Sequence, residues 1–205
     1  MPEFLVPRES SPQVVIADPD PAWATQYATE EALITAALGP ALSRIHHAGS
    51  TSVPGLAAKP VVDIVLTVGD PTDEAAYVPP LEGVGYELHH REPEWHEHRL
   101  LKKNAPHFSP DAQERVPHVN LHVFPDGCEE VTRMLAFRDW LRADEDDRRL
   151  YEDTKRTLAA QSWTNVQNYA DAKTEVVTQI MVRALALSQA SNRDGSPAPT
   201  RTTSG

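Results

Sequence analysis

The chain has 205 residues, enough for one domain with a helical appendage and a properly buried core. Its hydrophobic content is 40%, and no stretch approaches the roughly 20 apolar residues of a membrane span, so no membrane partner is expected. The formal charge of -11 argues against broad nucleic-acid binding, which rests on clustered Lys and Arg, yet the local group Arg99, Lys102 and Lys103 still allows a small anion.

Met1 to Gln13 lacks the basic and apolar blocks of a signal peptide, which points to a cytoplasmic protein. Residues 1–12 read as a loose, proline-rich arm. Val14-Val15-Ile16 is a short apolar run ended by the turn signal Asp18-Pro19-Asp20-Pro21. Asp20 and Pro21 open a helix with Trp23, Tyr27, Ile34 and Leu38 on one stripe, and Gly39-Pro40 stops it. Arg44 to Ala48 reads as extended, and Val61 to Val68 as a buried, β-branched strand.

Residues 72–82 read as a helix cut short by Pro79-Pro80, followed by strands over 84–89 and 99–103. Val116 to Phe124 alternates, with His118, Asn120 and His122 on one face and Val119, Leu121 and Val123 on the other. From Glu129 onward the period is helical, through Met134, Phe137 and Leu141, then Tyr151, Lys155 and Leu158, then a last stripe from Val166 to Leu187. Residues 188–205 have the composition of a disordered tail. The expected architecture is α+β, a mixed sheet of about four or five strands with one early helix and a C-terminal helical set over residues 13–187.

Asp63 is the most informative residue. A carboxylate inside a buried strand costs several kcal/mol unless it is paired or holds a metal, so it is either a structural acid or a site. The segment Gly49-Ser50-Thr51-Ser52 lies about a dozen positions earlier and can cup an anion with its hydroxyls and amides. Lys59 adds a cation near the same place. The face with His118, Asn120 and His122 is either a solvated edge or a wall of the site. Lys173 and Lys155 occupy apolar stripes, where a charged head must snorkel or meet an anion. His89-His90 and His96-Glu97-His98 read as a polar loop, since zinc centres need three or four convergent ligands. Cys128 reads as an unactivated turn cysteine.

The run from His47 to Ile64, HAGSTSVPGLAAKPVVDI, resembles the signature of the GrpB family within the nucleotidyltransferase-fold superfamily. Val14 to Trp23, Pro117 to Phe124, Ala136 to Leu141, Tyr151 with Lys155, and Tyr169 with Ala172-Lys173 agree in order, which extends the likeness over residues 13–187. The resemblance implies a Gly-Ser phosphate turn at Gly49 and Ser50 and a metal-bearing strand with Asp63 as first ligand. It also implies Mg²⁺ or Mn²⁺ as cofactor and a nucleotide-like small molecule as partner. Superfamily members that transfer nucleotidyl groups carry a second acid two residues on, where this chain has Val65, and a third acid on a neighbouring strand, where His122 lies.

Two functions are therefore expected. In the first, Asp63 and His122 hold the metal and act in transfer from an NTP, while Gly49, Ser50, Thr51, Lys59, Arg99, Lys102, His118 and Lys173 bind phosphate or substrate. In the second, the missing acid leaves a binding module for a nucleotide or a CoA-type ligand, or an interaction protein. GrpB-like domains fused to a dephospho-CoA kinase favour the CoA option.

Overall fold

The run Val61–Val68 forms the pivotal strand, because its β-branched side chains suit a position paired on both edges and covered on both faces. A computed structural model describes residues 2–5, 14–103, 118–164 and 166–194. Its elements are β1 (Glu3–Phe4), α1 (Ala22–Leu38), β2 (Arg44–Ala48), β3 (Val61–Val68), α2 (Glu74–Glu82), β4 (Glu87–Glu92), β5 (His98–Lys103) and β6 (His118–Pro125). The helices α3 (Glu129–Ala143), α4 (Glu145–Ala159), α5 (Val166–Asp171) and α6 (Thr174–Asp194) follow.

The six strands form one mixed sheet in the order β1-β4-β5-β6-β3-β2. Only β3 and β6 run parallel, and the α2-β4-β5 segment supplies the long connection that a parallel pair requires. Val62, Ile64 and Leu66 of β3 join Val119, Leu121 and Val123 of β6 on one face, packed under Trp23, Ile34, Leu38, Tyr77 and Leu81 from α1 and α2. Val62, Ile64 and Leu66 are wholly buried, each contributing roughly 1.5–3 kcal/mol of hydrophobic stabilisation. The opposite face carries Asp63, Val65, Asn120 and His122, and α3 covers only its end near Phe124, Cys128 and Val131.

The expected α+β class holds, with more strands than anticipated. The sixth is β1, where Glu3 and Phe4 of the supposed arm pair with Arg91 and His90 at the sheet edge. The rest of that arm, from residue 6 to 13, lies outside the described residues. Pro79 and Pro80 do not end α2 but form its last turns, held by the burial of Tyr77, Val78 and Leu81 in place of the missing amide bonds. The following strand starts at Glu87, because a turn through Gly83 and Gly85 uses the residues before it. The last stripe is two helices with a break at Ala172–Lys173, and the second passes residue 188 to end at Asp194. Residues 195–205 lie outside the described residues. Among those described, no helix is long and apolar enough to cross a membrane.

Candidate functional site

The parallel register of β3 and β6 sets Asp63 directly beside Asn120 and Val65 beside His122. Since β6 lies between β5 and β3, its polar face is no edge facing water but the floor of a site. Asn120 Nδ2 donates to Asp63 Oδ1 at 2.9 Å, and His122 Nε2 stands 3.7 Å from the same oxygen. Burial raises the Asp63 pKa, but the adjacent His122, the Asn120 bond and the Lys59 charge outweigh it and hold the carboxyl below its usual range.

The Gly49 turn exists because of Asp63. Gly49 takes φ +65°, and a Cβ there would come within 3.0 Å of Asp63 Cβ and Cγ and closer still to Oδ2. Only glycine lets the backbone and this carboxylate share the space. Ser50–Ser52 then form a single 3₁₀ turn. Ser52 Oγ donates to the Gly49 carbonyl at 2.6 Å, and Thr51 Oγ1 donates to the Val61 carbonyl at 3.0 Å. Thr51 also meets His47 Nε2 at 3.2 Å, so its hydroxyl fastens the turn to the strands.

The C-terminal helices clamp this turn from outside. Arg142 of α3 donates twice to the Ser52 carbonyl, at 2.7 and 3.1 Å. Glu152 of α4 accepts the Ala57 amide at 3.1 Å, and Lys155 Nζ donates to the Ala57 carbonyl. Val53 and Leu56 bury themselves among Leu141, Tyr151, Val176 and Ile180.

Two lysines, Lys59 and Lys173, feel the Asp63 carboxylate, and a third, Lys155, lies beside Lys173. Burial lowers the Lys59 and Lys173 pKa values, with the Asp63 charge opposing. Lys155, 2% exposed, is lowered by burial and then by Lys173 to about 7. Its ammonium lies 4.8 Å from the Tyr151 ring centroid, and that of Lys173 lies 4.7 Å from the Tyr169 ring centroid. The Ser50 hydroxyl meets the Tyr151 phenol, which burial pushes up to about 12 and keeps protonated. Glu152 also acts on Lys155, but it is bonded to Arg156 and to the Ala57 amide. Chemically this is a carboxylate with an imidazole beside it, set against positive charge held at a desolvation cost.

Of the expected site residues, Gly49, Ser50, Thr51, Lys59, Asp63, His122 and Lys173 come together. His118 and Lys102 lie on the same sheet face, opposite Val61 and Asn120 respectively. Arg99 does not join them. It points to the opposite face, 4% exposed, where its Nε donates to Glu74 Oε1 at 2.7 Å beside Arg91, because β-strand alternation sends it away from Lys102's neighbour Leu100. Asn120, Tyr151 and Lys155 belong to the centre although the sequence expectation did not place them there. The alternation of β6 was the available signal for Asn120, and the four-residue spacing on one helix stripe was that for Tyr151 and Lys155.

A hydrogen-bond chain crosses the sheet from this centre. His122 Nδ1 lies 3.0 Å from His98 Nε2, and His98 Nδ1 lies 2.7 Å from Glu92 Oε2. Burial lowers His98 to about 4, so its ring is neutral at physiological pH.

A GrpB protein family model matches residues 13–183. A UPF0157 protein of Halalkalibacterium halodurans is 47% identical over 180 residues, spanning 88% of this chain and 86% of that protein. The crystal structure of GrpB from Enterococcus faecalis superposes with a TM-score of 0.66 at 25% identity, covering 85% of this chain and 99% of that one. A dephospho-CoA kinase of Mycolicibacterium paratuberculosis is 30% identical over an alignment of 186 positions that covers 78% of this chain and only 43% of that protein. With the family model spanning most of the chain and a relative of nearly half identity along almost its whole length, this protein belongs to the GrpB family.

Proposed function

We propose that the Asp63 centre binds the phosphates of a nucleotide-type ligand and serves metal-assisted nucleotidyl or phosphoryl transfer to a small molecule, on a nucleotidyltransferase-like fold. The observation that carries this reading is the pair of half-buried lysines, Lys59 and Lys173, repelling each other beside one carboxylate, with Lys155 behind Lys173. A phosphate entering among them relieves the mutual repulsion and repays their desolvation.

The donor set fits one divalent ion. Asp63 Oδ1 and His122 Nε2, 3.7 Å apart, would hold it, with water and phosphate oxygens completing the shell. The mixed oxygen and nitrogen set suits Mn²⁺ better than Mg²⁺. The ion would neutralise phosphate charge. The protein's own groups do the rest: Lys59 and Lys173, backed by Lys155, orient the phosphates, and the Gly49 turn frames the carboxylate. His122 is either the ion's ligand or, with Nε2 free of the ion, the base for an acceptor hydroxyl, not both at once.

Val65 favours a second reading. It is 0% exposed and packed on Ala48, Phe124, Cys128 and Val131, so the position of a second acid is apolar and sealed. One carboxylate and one histidine supply too few ligands to hold the two ions of two-metal phosphoryl chemistry. A ligand-holding module with reduced turnover follows, and the dephospho-CoA kinase relative names a CoA-type ligand as the compound to try.

Thermal unfolding against NTPs and dephospho-CoA, with and without Mn²⁺ or Mg²⁺, tests both. A ligand at 100 times its Kd stabilises the fold by about 2.7 kcal/mol. The expected result is a metal-dependent shift that Asp63→Asn abolishes. A shift of equal size in Asp63→Asn, or none with any phosphate ligand, overturns the proposal. Ligand binding without product on long incubation selects the second reading over the first.

A further inference from the structure

One cluster outside the Asp63 centre has the composition of a metal site. Glu92, the last residue of β4, pairs directly with His98, the first of β5. Two residues earlier, the register shifts between Leu88 and His90, so that His89 and His90 together face Leu100. Beyond the bulge the register is regular, so alternation puts His90 and Glu92 on one face together with His98, the partner of Glu92. The hairpin joining the strands holds His96 and Glu97 at φ 54° and 51°, a left-handed conformation that side chains seldom adopt. Strand pairing thus sets two imidazoles and a carboxylate on one spot beside the hairpin.

The geometry points to a site for Zn²⁺ or a similar first-row divalent ion held by His90, Glu92 and His98. One ligand atom from each lies within 4.8 Å of the others. Glu92 Oε2 is 3.5 Å from His90 Nε2 and 2.7 Å from His98 Nδ1. A tetrahedral ion with bonds of about 2.0–2.1 Å sets its ligands roughly 3.3 Å apart, between these two values. Three protein ligands leave a fourth position open, in the pattern of two histidines and one carboxylate.

The surroundings are those of a prepared site. Metal-ligating histidines almost always bond through the other ring nitrogen, and both do so here. His98 Nε2 meets His122 Nδ1 at 3.0 Å, and His90 Nδ1 meets His89 Nδ1 at 3.1 Å. Aromatic rings complete an apolar shell: Phe4 of β1 lies 5.0 Å from His90, and Trp95 and Phe124 lie 4.8 and 4.7 Å from His98. The edge strand β1 thus covers the outer ligand.

The test is a Co²⁺ titration of the tag-free full-length protein, read by visible d–d absorption and by competition with Zn²⁺. One equivalent of Co²⁺ is expected to give a band that Zn²⁺ removes. His90→Gln and Glu92→Gln each should weaken Co²⁺ binding by about tenfold or more. Asp63→Asn should keep the band that His90→Gln removes and lose only the Co²⁺ held between Asp63 and His122, which separates the two sites. Circular dichroism checks that the variants fold, and His90→Gln keeps the size and a polar atom for that reason. No band from the wild-type protein, an unchanged titration in both variants, or loss of the band in Asp63→Asn overturns the inference.

Discussion

The two faces of the sheet treat charge in opposite ways. On the face under α1 and α2, Arg99 and Arg91 both close on Glu74, at 2.6–2.7 Å, while Lys103 and Tyr86 both close on Glu30 at 2.9 Å. Each buried charge there has its counter-charge from the same chain. On the other face Lys59 and Lys173 feel the single charge of Asp63, and Lys173 repels both Lys59 and Lys155. Closed networks hold a fold, whereas repelling charge beside a glycine turn is the pattern on which the proposed anion site rests.

The largest expected effect lies on the closed side. Arg99→Ala removes a buried cation and should cost about 3 kcal/mol, towards the lower end of the range for broken buried pairs because Arg91 still serves Glu74. Urea unfolding of the variant measures it, and a loss below about 1 kcal/mol would erase the distinction between the faces.

Gly49→Ala comes next. The added methyl needs the space of the Asp63 carboxylate and sits at an unfavourable φ, so a loss of about 2–3 kcal/mol is expected, together with loss of the ligand-induced thermal shift. Unfolding curves with and without ligand separate the two. Full retention of ligand binding would place the anion away from the turn.

The smallest effect is a pH dependence. Lys155 binds its proton only below about 7 in the folded state, while the unfolded chain keeps it to much higher pH. Its contribution to stability is therefore present above the unfolded pKa and is lost as pH falls through about 7. Anion binding restores the proton, so affinity for a phosphate ligand should fall above pH 7 by up to about tenfold per unit. Calorimetric titration in buffers of different ionisation heat detects the proton uptake, and Lys155→Met should remove it. Equal uptake in that variant would assign the proton to Lys59 or Lys173.

Much of this was legible without coordinates, where a residue's type contradicted its surroundings. Asp63 stood out as an acid in an apolar strand, and Gly49-Ser50 as a turn just upstream. Lys173 and Lys155 stood out as charges in apolar stripes. Arg99 misled because local clustering with Lys102 and Lys103 says nothing about faces once strand alternation separates neighbours. His90 and His98 read as parts of a polar loop and Glu92 drew no notice, because the pairing of β4 with β5 that unites them leaves no mark in the residue pattern.

The residue order by itself determined the β3 core strand, the family and the position of the Asp63 centre, since each depends on contiguous residues and their period. Only the tertiary structure decided that β6 lies inside the sheet and that Asn120 holds Asp63. It also decided that α4 brings Tyr151 and Lys155 back onto a turn nearly a hundred residues earlier, and that Arg99 turns away. Those outcomes depend on strand order, register and helix docking. They are set by the summed packing of distant segments, to which no local stretch of sequence has access.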